Sequence, residues 1–340
     1  MVAANPNNSL SLLDVAKRTD PDGNIPRIAE LLMQTNEILM DIPWLEGNLP
    51  TGTRNTVRTS MPQAYWKRPN GGNPASKSTT AQIDEAAGML EAWSVIDKQV
   101  ADLNGNAQAY RLSEASAFLE SMNQQLANQL IYGNSFTNPE RFMGLAPRYG
   151  AIIGAVNAQN ILSSLGSGSD NTSVWLVGWG ENTVYGIYPR GSKAGLDHFD
   201  FGARPWQTST TFGSGQIHAY VDRFAWYCGL AVKDWRYVAR SPNVDVSDLV
   251  SGSGTQNAQQ LIKTMSRMTD RFMNMSNIKP VFYTNRTVKS ILKIQALDKS
   301  QNILNVQEAI NQFGKFQELT FLGIPIRTND QILNSESVVS

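Results

Sequence analysis

The chain has 340 residues, enough for two or more lobes with separate cores. Hydrophobic residues make up 41% and charged residues only 17%, below the roughly 25% usual for soluble domains, so partners are expected to cover much of its surface. Lys and Arg total 29 and Asp and Glu total 29, which excludes attraction to a polyanion as a whole-molecule property and makes any nucleic-acid contact local.

Residues 1–49 read as an arm. Ser11 caps a short helix through Leu12, Leu13, Val15 and Ala16; Asp20-Pro21-Asp22-Gly23 turns the chain; Pro26 opens a second helix with Ile28, Leu31, Leu32, Ile38 and Leu39 at helical spacing. These apolar faces dock either on the rest of this chain or on another copy.

From Gly47 to Ile83 there is no acidic residue, while Arg54, Arg58, Lys67, Arg68 and Lys77 fall inside, with Tyr65 and Trp66 between them. The sign then reverses through Asp84, Glu85, Glu91, Asp97 and Asp102, and Gly71-Gly72-Asn73-Pro74 lies between. The pattern predicts a long hairpin over 50–102 with one basic and one acidic limb. Its charges pair within the hairpin or against a neighbour. A basic limb with aromatics also suits phosphates and bases, and a solvated charge pattern is the plainest alternative.

Ser113 to Tyr132 predicts a helix about 30 Å long, capped by Ser113, with Ala115, Leu119, Met122, Leu126 and Leu130 in one stripe that stops at Gly133. Residues 133–166 connect to a second body. There Val174 to Trp179, Val184 to Tyr188 and Ile217 to Val238 read as strands. Gln256 to Met275 reads as a helix on Ala258, Leu261, Ile262, Met265, Met268, Phe272 and Met275. Val281 to Tyr283 is a strand and Thr287 to Leu297 a short helix. Leu319 to Thr328 is an extended segment whose Pro325 argues for an edge or a bulge.

Signatures of chemistry are missing. The sequence has no Gly-x-Ser-x-Gly elbow, no phosphate loop ending in Lys-Ser or Lys-Thr, and no Gly-x-Gly-x-x-Gly after a strand. Gly166/Gly168, Gly213/Gly215 and Gly252/Gly254 sit among serines and read as flexible loops. His198, beside Asp197 and Asp200, reads as a loop hydrogen-bonding group, with a triad built on a distant serine as the rival; His218 reads as a packed or edge residue of a strand. The lone Cys228 forms no internal disulfide, and no catalytic, cofactor or metal residue is expected. No run of about 18 apolar residues marks a membrane span, and Met1 to Ser11 lacks the order of a secretion signal, which predicts a soluble protein made in the cytoplasm.

The order of parts resembles capsid proteins of the Hong Kong 97-type fold from tailed double-stranded DNA phages. Phe321-Leu322-Gly323-Ile324-Pro325-Ile326-Arg327 resembles the segment that closes such chains, and Gly229-Leu230-Ala231-Val232-Lys233-Asp234-Trp235-Arg236-Tyr237-Val238 is similar to a stretch of short-tailed phage proteins of the epsilon-15-type group. The resemblance implies an α+β fold with an N-terminal arm (1–49), an extended β-hairpin loop (50–102), a peripheral domain with a long spine helix (103–149), an axial domain (150–299) and a return to the peripheral domain (300–340). It implies a non-enzymatic major capsid protein, assembled in the host cytoplasm from hexamers and pentamers into an icosahedral virion shell around double-stranded DNA. Scaffolding, portal and decoration proteins are its further expected partners, with no membrane and no cofactor. Expected intersubunit contacts are Ile28, Leu31, Leu32, Arg54, Arg58, Tyr65, Trp66, Lys67, Arg68, Lys77, Asp84 and Glu85, with hinges near Pro50-Thr51-Gly52. In some members a loop lysine is linked to an asparagine of another subunit, and Lys67 and Lys77 lie in the corresponding loop. The rival readings are an encapsulin-like cargo compartment, a tail or connector component, and a soluble hydrolase.

Overall fold

The computed structural model describes residues 34–102, 106–208, 215–251, 258–297, 304–311 and 314–340. The first arm helix, and Ile28, Leu31 and Leu32 of the second, lie outside the described residues, as do Gly213, Gly252 and Gly254; the second helix, expected to run on through Ile38 and Leu39, is corrected, because Asn36 bridges Asn329 and only Ile38–Asp41 is helical, with Ile38 buried.

In chain order the elements begin with α1 (Ile38–Asp41), β1 (Trp44–Glu46), β2 (Gly52–Ser60), β3 (Thr79–Ala86), β4 (Gly88–Asp97), α2 (Lys98–Asp102) and α3 (Ala107–Tyr132). A 3-10 turn at Val156–Asn160 precedes β5 (Asn171–Trp179), β6 (Val184–Tyr188), β7 (Leu196–Thr208) and β8 (Gly215–Val232). After a second 3-10 turn at Trp235–Tyr237 come β9 (Val238–Asp245), α4 (Val246–Ser251), α5 (Ala258–Thr269), β10 (Lys279–Thr284) and α6 (Arg286–Leu297). The chain closes through β11 (Leu304–Asn311), β12 (Gly314–Phe321) and β13 (Ile324–Thr328). The class is α+β, as expected.

Two compact units form. The larger holds Asn36–Gly88, Ala127–Ala194 and Cys228–Ser340. At its centre β5 is flanked by antiparallel β9 and β10, and β10 continues through parallel β13 to the β12 and β11 hairpin. All nine residues of β5 are buried, which is why Val174 to Trp179 runs largely apolar and aromatic without the alternation of a half-exposed strand. In α5, Ala258, Leu261, Ile262, Met265 and Met268 recur every three or four residues and pack with Val174, Leu176 and Ala239, while Val288 and Leu292 of α6 enter the same core. Truncating one such leucine to alanine costs about 2–5 kcal/mol.

The smaller unit includes Met89–Leu126 and Gly195–Tyr227. β7 and β8 pair from Leu196↔Trp226 to Thr208↔Gly215, with a bulge between Asp200 and Ala203, and β4 lies beside β8. One face of this sheet receives α3, where Phe118 stacks on Phe224 and Tyr110 joins Ile96 and Ala101 in a small core. On strands β4 and β7, the exposed rings of Trp93, Phe199 and Phe201 gather with Trp206, and Arg204 lies 4.2 Å over Phe201.

Several expectations are corrected. The helix expected from Ser113 starts six residues earlier: Asn106 caps it through the Ala109 amide at 3.1 Å, and its 26 residues span about 39 Å. Its stripe is buried at Met122, Leu126 and Leu130, but Leu119 is exposed. Gly133 does end it, because a Cβ there would sit 2.4 Å from the Gln129 carbonyl oxygen. The helix expected to reach Met275 ends at Thr269, and the Asn274 side chain bonds the Ser276 amide in the turn that follows.

The strand expected over 217–238 breaks after Val232, where Asp234 accepts the Arg236 amide and opens the 3-10 turn. Leu319 to Thr328 is two strands joined at Leu322-Gly323, both with positive φ, and Pro325 lies on an internal strand at a position before the β10 ladder begins. Gly166 is no flexible loop: a Cβ there would meet the Asn243 carbonyl oxygen at 2.5 Å. His198 lies on β7, not in a loop, and His218 is exposed on β8.

Candidate functional site

The expected hairpin is present as β2 and β3. β-Branched Thr53, Thr56, Val57, Thr79, Thr80 and Ile83 suit the pleat, and the ladder runs from Gly52↔Ala86 to Arg58↔Thr80. Arg54 and Asp84 are register partners, and the guanidinium donates to both carboxylate oxygens, Nε to Oδ1 at 2.6 Å and Nη2 to Oδ2 at 2.7 Å. That bonding holds the Asp84 carboxyl below the usual carboxylate range and pushes Arg54 up. The pair faces solvent, so it sets register more than stability.

Glu85, one residue on, points the other way and is buried, and Arg148 grips it with both terminal nitrogens at 2.6 Å. Its carboxylate is therefore engaged inside its own chain and not presented to another copy. Asn48 braces the opposite limb, accepting the Arg54 amide at 2.7 Å and donating to the Arg54 carbonyl at 2.8 Å, and Tyr185 donates to Asn55. Gly52 is required by close approach, since a Cβ would lie 2.0 Å from the Glu85 carbonyl oxygen.

Beyond Ser60 and before Thr79 the two limbs run on without ladder pairs. The turn falls at Pro69-Asn70, just ahead of the expected glycine cluster: the Gly71 amide donates to the Arg68 carbonyl at 3.1 Å and Asn70 takes φ 62°. Trp66 is 100% exposed, and Tyr65, Met61, Arg58, Lys67, Arg68 and Lys77 are exposed with it. The tip thus combines an open indole with several cations and carries no acid.

The His198 Nε2–H donates to Asp222 at 3.0 Å and the ring stacks on Phe224, while Arg111 binds Asp222 at 2.8 Å and Asp200 at 2.6 Å. Among the described residues this is an ion-pair knot tying α3, β7 and β8, with no serine hydroxyl bonded to the imidazole. Among the described residues no group of three or more His, Cys, Asp or Glu is placed to hold a metal, and no helix is long and apolar enough to cross a membrane.

The chain aligns over 99% of its length, and 99% of the other's, with a chain of the near-atomic cryo-EM structure of bacteriophage Epsilon15, at 34% identity and a TM-score of 0.76. The capsid of bacteriophage JBD30 follows at 11% identity, covering 90% of this chain and 95% of that one, TM-score 0.45. The capsid of a native GTA particle follows at 9%, covering 64% and 94%, TM-score 0.44. No curated relative matches the sequence. The fold, shared with the Epsilon15 chain over nearly its whole length, is that of a phage shell protein of the Hong Kong 97 type. The family model for major capsid protein GP7 matches residues 20–340, and the chain belongs to that family. It is a structural component of the virion, and copies of it build an icosahedral shell.

The sequence pointed to a hairpin with charges paired inside it or against a neighbour, but not to Arg54 and Asp84 as the partners, and it carried the acidic limb too far: the hairpin ends at Ala86, while Glu91 and Asp97 lie on β4, which pairs with β8, and Asp102 ends α2. It also missed the anchors. Arg148 stands 63 residues from Glu85, and Tyr185 stands 130 from Asn55, so no local spacing betrays them. Asn48, six residues from Arg54, was the one anchor within reach of a turn-residue argument.

Proposed function

We propose that the hairpin of residues 52–86 is the clamp between neighbouring copies in the shell, carried by its exposed tip at Tyr65, Trp66, Lys67 and Arg68. The supporting observation is the contrast between a root braced on both limbs and a tip whose indole is fully exposed among the described residues. Copies gather as hexamers and pentamers, and each weak contact gains strength once a copy is held at more than one edge. The arm at 1–49 adds a second tether, α3 serves as the spine of a peripheral domain over 103–149, 150–299 forms the axial domain, and 300–340 returns to the periphery. The shell encloses double-stranded DNA by non-specific contact, is built in the host cytoplasm, and meets scaffolding, portal and decoration proteins there. Zero net charge fits an interior whose DNA contacts are local.

Replacing residues 61–78 by a two-residue Asn-Gly turn keeps the ladder and removes the tip. Negative-stain microscopy is expected to show soluble subunits or capsomers with few closed particles; normal shells from this variant overturn the clamp.

A further inference from the structure

The hairpin is bonded differently at its root and toward its tip. At its root, Glu85 is held by Arg148, Asn48 bonds both backbone groups of Arg54, Tyr185 holds Asn55, and the Ala87 amide donates to the Thr51 carbonyl at 2.9 Å. Glycines there are filled to contact: a Cβ on Gly47 would meet the Gly52 carbonyl oxygen at 2.2 Å, and one on Gly229 would meet that of Ala86 at 2.8 Å. A hinge at Pro50-Thr51-Gly52 would have to break this packing. Past Arg58 the situation reverses. The ladder slips at Thr59, and the limbs are then joined by exposed hydroxyls, Thr59 to Thr79 at 2.8 Å and Ser60 to Thr79 at 2.7 Å. Exposed hydroxyls exchange such bonds for water at little net loss, and a bulge leaves one residue outside the ladder. Toward the tip the limbs share only side-chain bonds to backbone, from Ser76 to the Gln63 carbonyl and from Asn73 to the Tyr65 carbonyl.

We propose that the hairpin is a cantilever whose moving joint is the Thr59 bulge with its Ser60 and Thr79 hydroxyls, so that the root and ladder stay fixed while the tip swings to meet inequivalent neighbours. This rests on the reading of the hairpin as a clamp. A shell of many copies must repeat one contact at different angles, and a joint beyond a rigid lever moves the contact without disturbing the fold that positions it.

Paired cysteines at register partners test the joint. The Ser60→Cys/Thr79→Cys disulfide staples the bulge, while Val57→Cys/Ala81→Cys staples the ladder inside it; antiparallel partners lie at a spacing a disulfide accepts. The bulge staple, oxidised, is expected to cut the yield of closed shells about ten-fold or more, with capsomers intact and reductant restoring closure, while the ladder staple closes normally. Normal closure with the oxidised bulge staple, or an equal block by the ladder staple, overturns the joint. Loss of the clamp itself would show separately, as normal shells from the tip-replacement variant.

Amide exchange on unassembled wild-type subunits gives an independent reading should the bulge variant fail to assemble even when reduced. Amides from Arg54 to Arg58 and from Ala81 to Glu85 are expected to be protected relative to those between Ser60 and Thr79. Equal exchange across the hairpin sinks the proposal.

Discussion

Arg240 of β9 and Glu336 of the closing segment, 96 residues apart, meet as an ion pair at 2.9 Å with both side chains only 5% exposed. The guanidinium also donates to Ser173 at 3.0 Å and to the Tyr149 carbonyl at 2.8 Å, and it lies over the Trp175 ring. Glu336 accepts further bonds from the Tyr132 and Ser173 hydroxyls. Its own amide donates to the Asn171 carbonyl, and three residues on, Asn243 brackets the Val339 backbone. One carboxylate thus ties the end of α3, β5 and β9 to the last residues of the chain. Burial beside that carboxylate keeps the Tyr132 phenol protonated, its pKa pushed well up.

A buried pair is weak evidence for net stabilisation, but stranding one of its charges is costly. Glu336→Ala is expected to lose about 3–5 kcal/mol, read as a lower denaturant midpoint of the unassembled subunit. The double variant Arg240→Met/Glu336→Leu leaves no stranded charge and should be less damaged than either single charge deletion. A double variant as unstable as the two losses added would show that the pair is not coupled.

This clasp was illegible in the sequence because an ion pair closed over such a separation leaves no local pattern. The hairpin was legible because its charge reversal and turn residues are contiguous. The buried strand Val174 to Trp179 and the Leu261, Met265 and Met268 stripe were legible because burial writes itself into hydrophobic spacing. Boundaries failed where a side chain outside the stripe decides them, as with Asn106 at the start of α3. The closing hairpin failed because leucine is no turn former.

The turn in that hairpin holds a strained position. Leu322 takes φ 51° and Gly323 φ 81° between the paired residues Phe321 and Ile324, a two-residue loop of the kind that favours Asn-Gly. A leucine there bears about 1–2 kcal/mol of left-handed strain, and its side chain, half exposed, loses little burial on replacement. Leu322→Asn is expected to stabilise the subunit by about 1 kcal/mol, raising Tm by about 2 °C. An unchanged or lower Tm would mean that Leu322 makes a contact worth more than the strain.

The Arg111 knot gives a pH signature. Bonding to Arg111 first, and to the Gly202 amide, holds the Asp200 carboxyl below its ordinary value against an opposing effect of burial. A folded pKa below the unfolded one, about 3.9, stabilises fully above that pH and is lost as pH falls through the folded value. Asp200 is half exposed, so the effect is small. Asp200→Asn should lower the denaturant midpoint slightly at pH about 7, and the gap to wild type should close in acid, once pH has fallen through the lowered pKa of the folded carboxyl. A gap that persists or widens in acid would assign the loss to packing instead of charge.

Cys228 offers a probe of these changes. It is 1% exposed on β8, and burial pushes its thiol up to about 12. At pH about 8 the buried thiol is held in its unreactive protonated form and is closed to solvent, so a native subunit should resist iodoacetamide until it opens. Alkylation followed by mass spectrometry is expected to be negligible in native protein, complete in denaturant, and faster for Glu336→Ala in proportion to its lost stability. Rapid labelling of the native chain would contradict the closed packing around β8. Cys228→Ala removes the signal and should be mild, whereas Cys228→Ser places a hydroxyl where the thiol needs no partner and is expected to cost about 1–3 kcal/mol.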